Sequence, residues 1–192
     1  TFSFFGNKTI STGEGGMITF KKKEDYLLAK KLRDHGMNQD KKYWHDEVGF
    51  NFRMTNLQAA IGCAQIEKAN KFINRKIQIF KRYNSKLKNL KFVDMVKKSS
   101  KIKNSHWLTF ILVKNNSIRD KLLLFLNSKG IEVRSGFYSA HQMDIYKNFK
   151  NKKVDYSNSK KISSSIITLP SSVSLKNQEI DYICKLIKSF FK

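Results

Sequence analysis

The first part of the chain shows helical spacing of apolar residues in two places. Apolar side chains recur from residue 23 to about residue 35, where Gly36 provides a stop, and from an N-cap at Thr55 through one long helix towards Leu87. Residues 9–20 place two β-rich stretches around Gly-Glu-Gly-Gly, which predicts a hairpin. Residues 37–54 have no period and are expected to form an irregular loop.

The second part, after Asn89, mixes short apolar strands with amphipathic helices. Its order is strand, helix, strand, strand, helix, predicted at residues 107–113, 118–129, 131–134, 166–170 and 175–191. This order is typical of a small α+β module of about 100 residues. The helix that begins at Thr55 is expected to join the two parts directly.

Composition excludes several classes of protein. Apolar residues make up 40% of the 192 residues, which is enough for a buried core and argues against disorder. No apolar run approaches the roughly 18–20 residues of a membrane helix, and the N-terminus shows no signal peptide. We therefore expect no membrane partner. The chain opens with Thr1 inside a motif, which predicts that it is a fragment.

The two cysteines suggest neither a metal site nor a disulfide. Cys63 and Cys184 lie far apart and form no Cys/His cluster, so we expect no metal. Each lies in an apolar helical pattern, where a buried thiol is expected. A reducing cytoplasm fits this usage.

The formal net charge of +23 raises nucleic acid as a partner, but the type of cation argues against it. Arginine, whose planar fork recognises phosphates and base edges, is scarce, and the many lysines are scattered along the whole chain. A solvated lysine-rich surface is the favoured interpretation, so no nucleic-acid partner is expected. Anionic small molecules would still be attracted.

Lys8 is the candidate for chemistry. It lies within Gly6–Ile10, just before the glycine-rich residues 12–16. Flanking β-rich residues would restrain its side chain, and the glycines would let other groups approach closely. A lysine held in this way can act as an amine nucleophile towards a carbonyl group. The spacing alone does not distinguish Lys8 from the other lysines.

The segment around Lys8 resembles the cofactor-lysine segment of the DegT/DnrJ/StrS-type nucleotide-sugar aminotransferases, and within them most resembles the GDP-perosamine synthases. The resemblance covers essentially the whole chain in five ordered blocks. These are TFSFFGNKTISTGEGGM (residues 1–17), LRDHGM (32–37), GFNFRMTNLQAAIG (49–62), GIEVR with Phe137, Tyr138 and His141 (130–141), and LPS (169–171).

The resemblance implies a pyridoxal-phosphate (PLP) enzyme of the α/β aspartate-aminotransferase fold, fold type I. Family members are about twice as long, so this chain would be their C-terminal half. Residues 1–88 would close the large PLP-binding domain with the connecting helix, and residues 89–192 would form the small α+β domain. A homodimer with active sites shared across its interface is also implied. The upstream residues that stack on and protonate the cofactor ring would be absent, so the fragment is expected to be inactive alone.

The same resemblance assigns roles to five residues. Lys8 would form the Schiff base with PLP, and Ser3 and Asn51 would bind the cofactor phosphate, Asn51 from the neighbouring subunit. Arg53 would lie near that shared site and contribute to substrate binding. His141 falls where the family approaches the nucleotide sugar, although Ser139-Ala140-His141 and Asp144 depart from the proline-containing pattern there.

Plainer interpretations exist for most of these residues. Ser3 could be a strand-edge hydroxyl, and Asn51 and Arg53 could only cap the helix that begins near Thr55. His35 beside Gly36 is interpreted as a helix-end residue, and Glu14 as a residue that stabilises its turn or the dimer.

The implied reaction is transamination in two stages. An amino donor, expected to be L-glutamate, would leave its amine on the cofactor, and Lys8 would transfer the proton. The amine would then pass to a 4-keto-6-deoxy nucleotide sugar, giving a 4-amino sugar for surface polysaccharide such as O-antigen. Two alternatives remain: a non-catalytic remnant that pairs with a partner chain, and a basic nucleic-acid-binding module.

Overall fold

The chain folds into two compact units. A computed structural model describes residues 1–96, 99, 101–151 and 153–192, and the units are Thr1–Lys71 and Phe72–Lys192. In the described part of the chain, no helix has both the length and the apolar content needed to cross a membrane. The same residues contain no cluster of His, Cys, Asp and Glu suited to a metal ion.

The first unit contains a small sheet and two helices. Strands β1 (Phe2–Ser3) and β2 (Gly16–Met17) pair antiparallel, with Ser3 opposite Gly16. The hairpin predicted over residues 9–20 is therefore wrong, since the partner of β2 is β1 and the intervening residues form a loop. Two-residue strands are too short to show any alternation in the sequence.

Helix α1 (Lys23–Arg33) confirms the first predicted helix, and residues 37–54 form the expected irregular loop. Thr55 is the N-cap of α2 (Asn56–Glu67), where its hydroxyl accepts from the Gln58 N–H and the Gln58 side chain accepts from the Thr55 N–H. The prediction of a single long helix was wrong, because α2 ends at Glu67 with Lys68 as its C-cap. A separate helix, α3 (Ala69–Leu87), follows directly.

The second unit is built on a four-stranded antiparallel sheet. Its strands lie in the order β3–β4–β6–β5, with β3 at Val93–Met95, β4 at Thr109–Val113, β5 at Arg134–Ser135 and β6 at Ile166–Leu169. The predicted strands at 107–113 and 166–170 are confirmed with shorter bounds. The predicted strand 131–134 begins only at Arg134, and β3 was missed.

Helices surround this sheet and close its core. They are α4 (Asn116–Ser128), α5 (Ser157–Ser165) and α6 (Asn177–Phe190), with 3-10 turns at Ala140–Gln142 and Asp144–Phe149. The helices α4 and α6 confirm the prediction, whereas α5 and the turns were missed. The core is formed by buried side chains of α3, the sheet, α4 and α6, which include Ile79, Leu87, Ile111, Leu122, Ile167 and Ile183.

The division between the two units falls earlier than residue 88. Helix α3 places Ile79, Tyr83 and Leu87 in the core of the second unit, so the helix packs with residues that follow it in the chain. The boundary at residues 88/89 for a complete family member stays a prediction.

The cysteines differ in exposure. Cys184 is buried on α6, and this burial raises the pKa of its thiol to about 11. Cys63 is exposed, so its predicted burial is wrong for this chain. Cys63 shares this exposure with the rest of its helix, since no residue of α2 is buried.

Candidate active site

Lys8 lies in a loop whose two ends are joined by main-chain pairing. Phe5 and Gly13 form a bridge, and the Phe4 N–H donates to the Gly15 carbonyl at 2.9 Å. The Phe4 carbonyl accepts from the Thr12 N–H, also at 2.9 Å. Because the base of the loop is fixed to the β1–β2 sheet, the backbone at Lys8 is held in a defined position.

Thr12 anchors the same loop to helix α2. It is only 4% exposed, and its hydroxyl donates to the Glu14 carbonyl at 2.5 Å. A Cβ built on Gly62 of α2 would lie 3.1 Å from the Thr12 methyl group, and one on Gly15 would lie 2.8 Å from the Thr12 hydroxyl oxygen. Glycine at position 62 lets the loop pack closely on the helix, and glycine at position 15 leaves room for the Thr12 hydroxyl within the loop.

Ser3 lies on β1, at the base of the Lys8 loop. Its hydroxyl oxygen accepts from the Phe5 N–H at 3.4 Å, and its side chain is exposed. A Cβ on Gly16, its partner in β2, would lie 2.8 Å from the Phe2 carbonyl oxygen, so the strands approach closely because this residue is glycine. Within the described residues the Ser3 hydroxyl has no acceptor, which leaves it able to donate to a ligand.

Asn51 lies in a segment that caps the C-terminus of α1. The last carbonyls of a helix lack intrahelical partners. Here the Leu32 and Arg33 carbonyls accept from the N–H groups of Phe50 at 2.7 Å and Phe52 at 3.0 Å. Asn51 itself pairs with Asp34 as an isolated bridge and has an exposed side chain. The segment is therefore fixed by backbone contacts, and its side chains extend from a rigid support.

Arg53 is joined by an ion pair to the end of α1. Its Nε lies 3.2 Å from Oδ1 of Asp34, and its side chain is 58% exposed. The turn that follows Asp34 requires a left-handed backbone, with φ of 62° at His35 and 63° at Gly36. The interpretation of His35 as a helix-end residue agrees with this turn.

The loop after the turn packs directly on Gly36. A Cβ built there would lie 2.0 Å from the Glu47 carbonyl oxygen, and one built on Gly49 would lie 2.1 Å from the Gly36 nitrogen. Asp46 of this loop pairs with Lys31 at 3.0 Å, and the hydrogen bond from Lys31 lowers the pKa of the Asp46 carboxyl group. These contacts hold the segment that carries Asn51 and Arg53.

His141 belongs to the second unit. It lies in the 3-10 turn Ala140–Gln142, and its ring stacks on Tyr156 with centroids 4.4 Å apart. Lys8, Ser3, Asn51 and Arg53 all lie in the first unit, where backbone contacts fix the elements that carry them. The substrate role of His141 stays a prediction.

Sequence reasoning assigned no role to three residues that position these side chains. Thr12 and Gly62 anchor the Lys8 loop, and Asp34 pairs with Arg53. All three lie inside the sequence blocks quoted above, which was the available signal. Their contacts join residues 19 or more positions apart, so spacing along the chain could not reveal them.

The chain belongs to the DegT/DnrJ/EryC1/StrS aminotransferase family, whose model matches residues 1–188. It is 39% identical over 191 residues to the GDP-perosamine synthase of Escherichia coli O157:H7, covering 100% of this chain and 51% of that protein. The chain thus spans about half the length of the curated relatives it matches.

Solved structures agree on the fold. The aminotransferase PseC of Helicobacter pylori, involved in the biosynthesis of pseudoaminic acid, matches with a TM-score of 0.87 and 25% identity over 99% of this chain and 52% of that one. A sugar aminotransferase of Streptococcus pneumoniae, solved in a PMP form and a PLP form, matches at 23% identity over 98% of this chain, with TM-scores of 0.83 and 0.81 and coverage of 52% and 50% of those chains. The α/β fold of PLP-dependent transferases, fold type I, is confirmed.

Proposed function

We propose that the protein containing this chain is a PLP-dependent aminotransferase that converts a 4-keto-6-deoxy nucleotide sugar into a 4-amino sugar, as a GDP-perosamine synthase does. One observation carries this proposal: Lys8 lies in a loop fixed at both ends, within a chain that resembles GDP-perosamine synthase over its whole length. The product would serve surface polysaccharide such as O-antigen, and the reaction would take place in the cytoplasm.

The residues of the first unit suit PLP chemically. An aldehyde requires an amine, which Lys8 supplies, and a phosphate requires hydroxyl, amide or cationic donors. Ser3 has a hydroxyl that is able to donate, and Asn51 has an exposed side-chain amide. Both side chains extend from backbone that is paired to neighbouring elements. This donor set fits a phosphate-bearing aldehyde.

Bound PLP would supply an aldehyde that exchanges amines and a conjugated ring that withdraws electrons from the reacting carbon. Lys8 would hold the cofactor through its amine until the amino donor displaces it. The released amine would remove the proton from Cα of the donor, for which we propose L-glutamate. In the second stage Lys8 would deliver a proton to C4 of the sugar. Ser3 and Asn51 would hold the phosphate, and Arg53 and His141 would contact the substrate.

Exposed apolar residues support a shared, larger assembly. On α2, Leu57 is 80% exposed, Ile61 50% and Ile66 61%. Apolar side chains exposed on more than one side of a helix normally pack against other surfaces. We propose that the remaining half of a full-length protein and a second subunit cover these side chains, giving a homodimer with shared sites. The 192-residue chain alone would then be inactive.

The test uses the product of the complete reading frame that contains this chain, supplied with PLP and L-glutamate. GDP-, UDP- and dTDP-linked 4-keto-6-deoxy sugars are compared as acceptors, and 2-oxoglutarate is measured together with the mass of the sugar product. We expect a 4-amino sugar from one of the three, and no turnover by residues 1–192 alone. Absence of turnover with all three acceptors, in a protein that binds PLP, would instead support the non-catalytic alternative.

A further inference from the structure

We infer that Asp34 is a positioning residue, whose ion pair with Arg53 orients the guanidinium so that its two terminal nitrogens are left to bind an oxyanion. This inference rests on the proposed function of the same site, and it adds a residue and a ligand class to it. The oxyanion is a phosphate or a carboxylate, because the planar fork of arginine matches both.

The first support is the way in which the two side chains meet. The shortest approach between the two side chains joins Oδ1 of Asp34 to Nε of Arg53, at 3.2 Å. The Arg53 side chain is 58% exposed, and its two terminal nitrogens donate no hydrogen bond to a described residue. An arginine bound on one side in this way keeps its bidentate edge for a second anion.

The second support is the burial of the Asp34 oxygen. Oδ1 is shielded from water and accepts no hydrogen bond from any described residue. A carboxylate oxygen removed from water requires a compensating charge, and the Arg53 guanidinium is the cation that it faces. The Asp34 side chain as a whole is 36% exposed, so Arg53 offsets the desolvation of this one oxygen, and Asp34 in turn orients Arg53.

The third support is the rigidity of the backbone on both sides. Asp34 follows the last residue of α1, and Arg53 follows the segment that caps this helix through Phe50 and Phe52. The isolated bridge between Asp34 and Asn51 pairs the backbone after α1 with the segment that carries Arg53, two residues before Arg53 itself. Arg53 is therefore carried by the same backbone segment as Asn51, the residue proposed to bind the cofactor phosphate.

Two molecules carry such an oxyanion, PLP and the amino donor, and the experiment distinguishes between them. If the oxyanion is the cofactor phosphate, loss of Asp34 should weaken PLP binding, measured by absorbance titration of the cofactor-free protein. If it is the carboxylate of the amino donor, loss of Asp34 should raise the KM for L-glutamate and leave the affinity for PLP unchanged. In both cases kcat should change less than binding.

The variants are D34N, D34E, R53K and the double variant D34N/R53K, all in the product of the complete reading frame. We expect D34N to weaken the binding of PLP or of L-glutamate about tenfold to a hundredfold, the range found when a binding group loses its orientation. D34E should restore part of the loss because it keeps the charge. The double variant should bind the affected ligand no more weakly than R53K alone, since Asp34 acts through Arg53.

The matched control is D46N. Asp46 lies in the same loop and pairs with Lys31 and Asn38, so its loss loosens the loop without touching Arg53. If D34N and D46N change the affinity for PLP and the KM for L-glutamate to the same extent, the inference is wrong.

A wild-type protein that forms no Lys8 adduct and transfers no amine contradicts the proposed function instead. In that case titration of the Arg53 Nε–H resonance with inorganic phosphate and L-glutamate decides about Asp34: a response that D34N abolishes supports the inference, and no response overturns it.

Discussion

The ammonium group of Lys76 donates a hydrogen bond to the main-chain oxygen of Ser171, at 2.6 Å, inside the second unit. It also donates to the Trp107 carbonyl at 3.0 Å. Thr109 pairs with Leu169 at the end of the β4–β6 ladder, so Trp107 and Ser171 lie two residues beyond it on the two strands. Lys76 therefore joins helix α3 to the sheet at the point where the hydrogen bonds between β4 and β6 end.

Replacement of Lys76 by methionine should destabilise the second unit. Lys76 is 8% exposed, and K76M would leave two carbonyl oxygens without their donor. We expect the free energy of unfolding to fall by about 1–3 kcal/mol, the cost of leaving buried polar groups unpaired. Denaturant unfolding of K76M measures the change. K81M is the control, because Lys81 lies on the exposed side of the same helix; equal stability of the two variants would contradict the role of Lys76.

His106 should make stability depend on pH. Its ring stacks on Phe80 with centroids 3.8 Å apart, and burial lowers its pKa from the ordinary 6.5. The folded protein thus binds the proton less readily than the unfolded chain. The stability that neutral His106 contributes is present above about pH 6.5 and is lost as the pH falls through the lowered folded-state pKa.

The variant H106N tests this dependence. Asparagine tolerates the positive φ of 50° at this position and does not titrate. Between about pH 7 and pH 5, the wild-type protein should lose more stability than H106N, measured by chemical unfolding at each pH. Parallel curves for the two proteins would show that His106 does not contribute.

Gly36 should tolerate no side chain, because it lies against the loop that carries Asn51 and Arg53. A Cβ there would lie 2.0 Å from the Glu47 carbonyl oxygen, which is a backbone atom. Gly13 is the matched control: its φ is 81° and a Cβ would meet nothing within 4 Å. Both G36A and G13A should incur the cost of a left-handed alanine, about 1 kcal/mol.

G36A should be less stable than G13A by a further 1–3 kcal/mol or so, because the backbone must shift. Hydrogen exchange at the Phe50 and Phe52 amides, which cap α1, should quicken in G36A and not in G13A. Unchanged exchange in G36A would mean that the packing of this loop does not hold the cap.

Amphipathic helices were the part of the fold that the sequence predicted best. Helix α6 buries Ile180, Ile183, Cys184 and Ile187, the face expected from their spacing. Helix α5 was missed because it is polar, with the sequence SNSKKISSS, and its contacts are hydroxyl hydrogen bonds such as that from Ser163 to the Phe137 carbonyl. Periodicity reports apolar burial and does not detect such contacts.

The prediction of the candidate site depended more on the resemblance to a known family than on the pattern of residues along the chain. Composition could not distinguish Lys8 from the other lysines, whereas its motif could. The pairing of Asp34 with Arg53 required the fold, because the capping of α1 by Phe50 and Phe52 brings these residues together. Local sequence rules describe helices and turns, but they do not specify which loop satisfies the last carbonyls of a helix.

The measurement that tests the central claim most directly is the position of the borohydride-trapped PLP adduct. The product of the complete reading frame is reduced in the presence of PLP and mapped by mass spectrometry of its peptides. We predict that the adduct lies on Lys8, is absent from K8A and persists in K21A, which removes an exposed lysine of the same unit. An adduct on another lysine, or one that persists in K8A, would contradict the assignment of Lys8.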